Sequence, residues 1–221
     1  MLNNLNIKCK LCGCTEVELQ DYKIRNITDD SCKMYKCKNC ETHFMYPLPS
    51  QDLSEYYDGT FREEVHTADY YDYTELDKVF NNFLGEAKLR TERVKNDLSA
   101  NDKILEIGSS VGYFTAAISA YVKDVYATEW DSKARAYIKD RLTKYNIHVA
   151  KNPEDFETKF DKIFMFHVLE HIEKPIDFLK NLKQLLNENG KIYIEVPNVD
   201  DVMLKTFRCR PFIEHYYKKA H

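Results

Sequence analysis

The sequence predicts an α/β protein in which a parallel, doubly wound sheet follows a small cysteine-rich N-terminal unit. Three observations carry this expectation. Six of the seven cysteines lie within residues 9–40. Apolar residues from Leu76 to Val94 recur at helical spacing. From Lys103 to Val196 short apolar runs alternate with helix-like runs, the trace that successive βαβ units leave in a sequence. A chain of 221 residues is long enough for one substantial core and a satellite. The divisions read as a ribbon at 1–50, a Tyr-rich bridge with a long helix at 51–99, and the α/β core at 100–221.

In the first unit, Cys9-Lys-Leu-Cys12 and Cys37-Lys-Asn-Cys40 are two C-x-x-C turns separated by residues 13–36. Each turn offers two sulfurs to one side, and two turns together complete a tetrahedron with no open position. That is the pattern of a structural zinc site, which folds a segment too short to have a core of its own. Cys9, Cys12, Cys37 and Cys40 are the expected metal ligands. Cys14 or Cys32 is able to replace one of them, and reduced buried cysteines or redox chemistry are the other readings. Cys209 stands alone and reads as a small apolar residue. Residues 1–50 carry seven Lys/Arg against six Asp/Glu, and the whole chain has a net charge of −4. Neither is the basic surplus of a nucleic-acid binder, so a scaffolding or substrate-covering role is expected. Pro47 and Pro49 give the unit an extended exit.

The bridge holds many of the 16 tyrosines, between Tyr56 and Tyr73. They either cover an interior or line a pocket for a flat ligand. Thr74 is the expected N-cap of a helix over 75–98, with Asp77 at the capping-box position. Lys88, Arg90, Glu92, Arg93 and Lys95 read as its solvated face.

The core opens with a strand at 103–107, followed by the turn Gly108-Ser-Ser-Val-Gly112 and a helix over 113–121. A second strand, 124–129, ends on Glu129, and Asp131 or Ser132 caps the next helix. Weak and strong strands follow at 147–149 and 162–166. Pro175 starts a helix with an apolar stripe of Ile176, Leu179, Leu182, Leu185 and Leu186. Asn189-Gly190 is expected to end it, with a fifth strand at 191–196. Ligands of such sheets bind beyond the carboxyl ends of the strands, at the switch point. The turn after the first strand is therefore where a nucleotide-like cofactor belongs, and glycine there lets backbone approach ligand closely. The dinucleotide fingerprint G-x-G-x-x-G is absent, since Ser110 holds the middle position. Glu106 precedes the first glycine by two residues, and Glu129 stands where an acid takes the hydroxyls of a ribose.

The stretch His167-Val-Leu-Glu-His171 fits the H-x-x-E-H pattern of a zinc peptidase. A peptidase needs both histidines on one helix. Here His167 directly follows an apolar strand and falls in a strand-to-helix turn, so a peptidase is not expected.

These residues resemble the class I S-adenosylmethionine-dependent methyltransferases. Their first motif, (Asp/Glu)-x-Gly-x-Gly-x-Gly, reads here Glu106-Ile-Gly108-Ser-Ser110-Val-Gly112, with a small residue kept at Ser110. The resemblance runs over about 100–200 and includes "FDKIFMFHVLEHIEKP" and "GKIYIEVPN". It implies S-adenosylmethionine as cofactor and S-adenosylhomocysteine as product. Glu106, Gly108, Ser109, Ser110, Gly112 and Tyr113 would cradle it, Glu129 would hold its ribose, and Trp130 or a bridge tyrosine would flank its adenine. His167 would lie near the cofactor. His171 either faces the acceptor or is a structural histidine.

The ribbon, the Tyr-rich bridge and this core together resemble bacterial sugar methyltransferases. Those act on nucleotide-linked sugars in surface-polysaccharide or antibiotic pathways. C-methylating members have a Tyr-x-Glu-His segment after the fifth strand. Here it reads Phe212-Ile-Glu214-His215, so C- and O-methylation both stay open. His215 is the expected catalytic base, oriented by Glu214; a solvated tail is the other reading.

The family core adds two strands after the fifth, but residues 198–221 show no hairpin pattern. The sheet is therefore expected to lack its last two strands, as a short form, a fragment or half of a shared site. Its exposed edge could pair with a second copy to give a homodimer. A small-molecule acceptor, a sugar or sugar nucleotide, is the expected partner. The alternatives are an RNA methyltransferase with a zinc module and a non-catalytic, truncated assembly partner. The N-terminus has no apolar core of signal-peptide length, and no apolar run spans a bilayer. A cytoplasmic protein with reduced cysteines, not a membrane partner, is expected.

Overall fold

The structure is a computed structural model and describes residues 7–22, 24, 31–48, 53–59, 62 and 74–217. The chain divides into two compact units. Met1–Ser50, Leu169–Asn181 and Val196–His221 form one, and Gln51–Val168 with Leu182–Glu195 form the other. The C-terminal stretch, which the sequence groups with the α/β core, thus belongs to the ribbon's unit. No helix among the described residues is long and apolar enough to cross a membrane.

In chain order the main elements are β1 (Val17–Gln20), β2 (Lys33–Cys37), β3 (His43–Tyr46), α1 (Leu53–Asp58), α2 (Leu76–Val94), β4 (Lys103–Ile107), α3 (Tyr113–Ile118), β5 (Asp124–Thr128), α4 (Ser132–Arg141), β6 (Ile147–Ala150), β7 (Phe160–Phe166), α5 (Pro175–Gln184), β8 (Leu186–Glu195), α6 (Val202–Lys205) and α7 (Arg210–Tyr216).

The sheet unit holds five parallel strands in the order β6-β5-β4-β7-β8. The chain leaves β4 in one direction, through β5 and β6, and returns to its other side with β7. The loops after β4 and β7 therefore flank the switch point. Ile104, Leu105, Glu106 and Ile107 of β4 are all buried, as a central parallel strand requires. Ala87 of α2 and Phe114 and Ile118 of α3 pack with Ile104, Val125 and Phe164 of the sheet. Val79 and Phe80 of α2 pack with Ala134 and Ile138 of α4.

Several expected boundaries shift for local reasons. α2 starts after Glu75 without a side-chain cap, so Thr74 does not cap it, and a 3₁₀ turn over Lys95–Asp97 takes over its last residues. Arg90, expected on the solvated face, is buried. α5 ends at Gln184, and Asn189-Gly190 lies inside β8 rather than before it. Phe160 pairs with Leu186 but Lys162 pairs with Lys191, so residues 187–190 bulge out of register. Asp161 ties that bulge to β4: it accepts from Asn187 Nδ2 at 2.8 Å and from the Lys103 N–H at 2.8 Å. Beyond Glu195 the described residues form α6 and α7 and no further strand, as the missing hairpin pattern implied.

The ribbon unit has a three-stranded antiparallel sheet, β1-β2-β3. Ile24, Cys32, Met34 and Met45 pack with Leu204 and Tyr217, so the ribbon shares its apolar core with the C-terminal segment.

Phe164 is 0% exposed, stacked on Tyr193 at 4.7 Å and packed on Phe114 at 5.2 Å. Phe164→Ala is expected to lower stability by about 3–5 kcal/mol. Urea unfolding followed by circular dichroism checks this, and a loss below ~1 kcal/mol would contradict the packing described.

Candidate functional site

The site expected from the sequence is built where β4 and β5 end. Gly108 has φ +71° and Gly112 has φ +78°. A Cβ on Gly108 would lie 2.6 Å from Val168 Cγ2, and one on Gly112 would lie 2.9 Å from Leu142 Cδ1. Both positions thus need glycine for conformation and for space. The Gly108 and Ser109 N–H groups both donate to the Thr128 carbonyl, at 2.9 and 3.0 Å. Ser110 takes a left-handed φ of 50°, and its N–H donates to Glu129 Oε2 at 2.6 Å. The Asp131 N–H donates to the other oxygen of Glu129 at 3.0 Å. One carboxylate therefore fastens the β4 turn to the β5 loop. Burial raises the Glu129 carboxyl above its ordinary value, while these two N–H donors pull the other way.

Glu106 is 2% exposed and accepts from Thr115 Oγ1 at 2.8 Å. Burial pushes its carboxyl up to about 8. Tyr113 stacks on Phe83 at 5.4 Å, and burial raises its hydroxyl. Trp130 sits 6.2 Å from the Tyr57 ring of α1. Asp131 caps α4, accepting from the Lys133 and Ala134 N–H groups, and it also pairs with the buried Arg62. The β5 loop is thus held from both sides before any ligand is considered.

His167 follows β7 with φ 56°, and its N–H donates to the Glu195 carbonyl at 2.9 Å. Its Nε2 lies 3.3 Å from Glu195 Oε1. Arg90 Nε lies 3.2 Å from both oxygens of Glu195, and Arg90 Nη2 donates to Oε1 as well. Arg90 also pairs with Glu86 at 2.8 Å and lies over the Phe166 ring, 4.6 Å from its centroid. The hydrogen bond from Arg90 holds the Glu195 carboxyl below its ordinary value. Sequence reasoning missed Arg90 and Glu195. Their separation of 105 residues leaves no local pattern, and an arginine between Leu89 and Thr91 on an amphipathic helix looks like surface.

His171 ends a 3₁₀ turn, Leu169–His171, in the ribbon unit. Glu214 and His215 fall in α7, but their side chains lie outside the described residues. The bridge tyrosines Tyr70, Tyr71 and Tyr73 also lie outside the described residues. The ribbon unit contains a cavity of about 320 Å³, near the small end for a ligand pocket. Leu11, Met34, Phe44 and Pro197 are among its apolar walls, with Lys10 and His43 among its polar groups. The buried Tyr216 hydroxyl, which also lines the cavity, has no hydrogen-bond partner among the described residues.

The Sγ atoms of Cys9, Cys12, Cys37 and Cys40 all lie within 4.8 Å of one another, with Cys9–Cys40 and Cys12–Cys37 at 3.5 Å. Four thiolates around a tetrahedral ion at ~2.3 Å would be roughly 3.8 Å apart, so the set fits such an ion. The turns that present them are alike. The Gly13 N–H donates to the Cys9 carbonyl at 2.9 Å, and the Glu41 N–H donates to the Cys37 carbonyl at 3.0 Å. Cys14 and Cys32 stand outside the quartet. The Glu16 N–H lies 3.4 Å from Cys14 Sγ, and Cys32 is buried in the apolar core.

The cofactor set also fits its expected group. The turn presents Gly108 at the surface, the buried Ser109 Oγ has no partner among the described residues, and Glu129 is fixed at the end of β5.

Comparison with known proteins bears on this geometry. The family described as "Methyltransferase domain" matches residues 73–219. A tRNA U34 carboxymethyltransferase of Campylobacter hominis is 28% identical over 107 residues, 44% of this chain and 37% of that protein. A probable S-adenosylmethionine-dependent methyltransferase of Mycobacterium tuberculosis is 24% identical over 110 residues, 48% of this chain and 39% of that protein. The chain thus aligns with well under half the length of these relatives. Among solved structures, the plantazolicin methyltransferase BpumL, in complex with a monoazolic desmethylPZN analog and SAH, gives a TM-score of 0.51 at 18% identity, covering 75% of this chain and 65% of that one. The DhpI–SAH complex gives 0.50 at 20% identity, covering 69% and 73%.

Glu106 supplies a test of the buried layer. Its carboxyl is raised from an ordinary 4.5 to about 8, so folding favours the protonated form. Stability is then fully present below about pH 4.5 and falls as pH rises toward 8, because the unfolded chain ionises first. Thermal melts from pH 5 to about 8 are expected to show this loss in the wild type and a flatter profile in Glu106→Gln. Parallel profiles would place the titration elsewhere.

Proposed function

The chain belongs to the methyltransferase-domain family, and on that premise we propose that it transfers the methyl group of S-adenosylmethionine to a small-molecule acceptor. The observation that carries the proposal is the glycine turn after β4, with Ser110 N–H fastened to Glu129 Oε2 at 2.6 Å. That arrangement sets an acid at the end of the second core strand beside a turn that backbone alone can line.

S-adenosylmethionine would supply an already activated methyl on a sulfonium, so the protein's task is orientation and proton removal. Gly108, Ser109, Ser110 and Gly112 would line its methionine part. Glu129, held rigid by two backbone donors, would accept from the ribose hydroxyls with its remaining lone pairs. Trp130 and Tyr57 would border the adenine. Glu106, buried and protonated through neutral pH, would act beneath the turn as a donor rather than a charge. A histidine would accept the acceptor's proton near neutral pH.

The acceptor we favour is a sugar or nucleotide-linked sugar, on the likeness of the ribbon, bridge and Glu214-His215 segment to sugar methyltransferases. The relatives named for tRNA raise RNA as the other acceptor. A net charge of −4 supports the small molecule. The cysteine quartet would hold a structural zinc with no open position, and it takes no part in the chemistry.

Titration with S-adenosylhomocysteine in a calorimeter is expected to give micromolar binding that weakens at least tenfold, about 1.4 kcal/mol, in Glu129→Ala. No heat from folded protein would sink the proposal, and retention on RNA that falls steeply with salt would redirect it. Native mass spectrometry is expected to find one zinc per chain and none in Cys37→Ser. Amide exchange in β2 and β3 should speed in that variant. A wild-type ribbon that is folded and metal-free would remove the zinc assignment.

A further inference from the structure

Arg90 of α2, Glu195 at the end of β8 and His167 at the end of β7 form a relay beside the glycine turn. We propose that His167 is the catalytic base of the transfer and that Glu195, clamped by Arg90, is the residue that positions it. This rests on the methyl-transfer reading and assigns the proton step to the sheet unit rather than to His215.

Three observations carry the assignment. First, His167 is held in the left-handed region, φ 56°, which few residues other than glycine adopt and which asparagine, aspartate and histidine enter most readily. The conformation is tied by its own N–H on the Glu195 carbonyl at 2.9 Å. Residues fixed in this way by their surroundings recur at working sites. Second, Glu195 does not need the histidine to be satisfied. Arg90 Nε already reaches both carboxylate oxygens at 3.2 Å, and Arg90 itself is only 7% exposed and packed on Phe166. The carboxylate is therefore fixed first, and its Oε1, 3.3 Å from Nε2, is placed to stabilise an imidazolium. Among the described residues, Glu86, Arg93 and the buried Glu106 also act on this set. Third, His167 is 50% exposed, and the residue after it, Val168, is the one that Gly108 must lack a Cβ to clear. The imidazole thus stands at the switch point, one residue from the wall of the cofactor turn.

In the step proposed, the acceptor's O–H or N–H proton passes to a ring nitrogen of His167. The freed electron pair takes the methyl carbon, and the carbon–sulfur pair returns to sulfur, which leaves as a neutral thioether. The imidazolium then gives its proton to water.

The test needs no acceptor. Protein carrying ring-labelled histidine is titrated by NMR alone, with S-adenosylmethionine and with S-adenosylhomocysteine. His167→Asn identifies the signal, since asparagine tolerates the left-handed backbone. A sulfonium a few ångströms away disfavours the imidazolium. The His167 midpoint is therefore expected to lie about 0.5 pH unit or more lower with S-adenosylmethionine than with the neutral product. Glu195→Gln is expected to lower the midpoint by about one unit, and Glu195→Asp to restore most of it. A merely structural Glu195 would move neither. Equal midpoints in the two complexes, both shown by calorimetry to form, overturn the base assignment and leave the methyl-transfer reading standing. If neither ligand binds, that reading fails and the assignment falls with it.

Discussion

Two backbone N–H groups, those of Ser110 and Asp131, converge on the single carboxylate of Glu129, and the loops at the carboxyl end of the sheet depend on that convergence. A turn with left-handed residues at Gly108, Ser110 and Gly112 closes on itself through the Gly112 N–H, which donates to the Ser109 carbonyl at 2.8 Å, and this alone does not fix it to the sheet. It is held instead by bonds across to β5, through Thr128 O and Glu129. Two donors on one buried acid fix its orientation and offset part of the cost of its burial. The glycine turn is therefore shaped before any ligand arrives, so binding has less ordering to offset.

The same layer sorts its acids by environment. Glu106 is sealed beneath α3 and is driven toward its neutral form. Glu195 sits one strand beyond β7 but faces a guanidinium, and it is held ionised. Chemically identical groups, Glu106 and Glu195, are thus set apart by burial in one case and an arginine in the other. This is how one sheet can hold a hydrogen-bond donor and an anion at the same pH.

Much of this was legible in sequence because it is local. The boundaries of β4 follow from KILEI ending at a glycine. The quartet of cysteines follows from two turns of equal spacing, and a cap at Asp131 or Ser132 follows from residue type, with Asp131 the one that caps. What could not be read depends on distant partners. Asn189-Gly190 carries the local signal of a helix stop, yet β7 recruits the preceding residues into β8 and Asp161 secures the bulge from outside. Arg90 looks like surface until Glu195 and Phe166 are folded against it.

The ribbon shows the same division in another form. A segment of that length with four thiolates suggests a unit folded by its metal alone. Its apolar residues say otherwise: Met34 and Met45 pack with Leu204 and Tyr217, and Tyr22 stacks on Tyr217 at 4.4 Å. His43 Nδ1 and the Tyr217 hydroxyl lie 3.1 Å apart, which adds a polar tie to the apolar ones. The thiolate site thus closes one end of the ribbon, near Ile7 and Phe44, while a segment from the far end of the chain closes the other. A metal on the four thiolates would therefore tie the two cysteine turns and the strands next to them. The cavity wall that carries Tyr216 is supplied instead by α7, so the C-terminal segment builds part of that cavity.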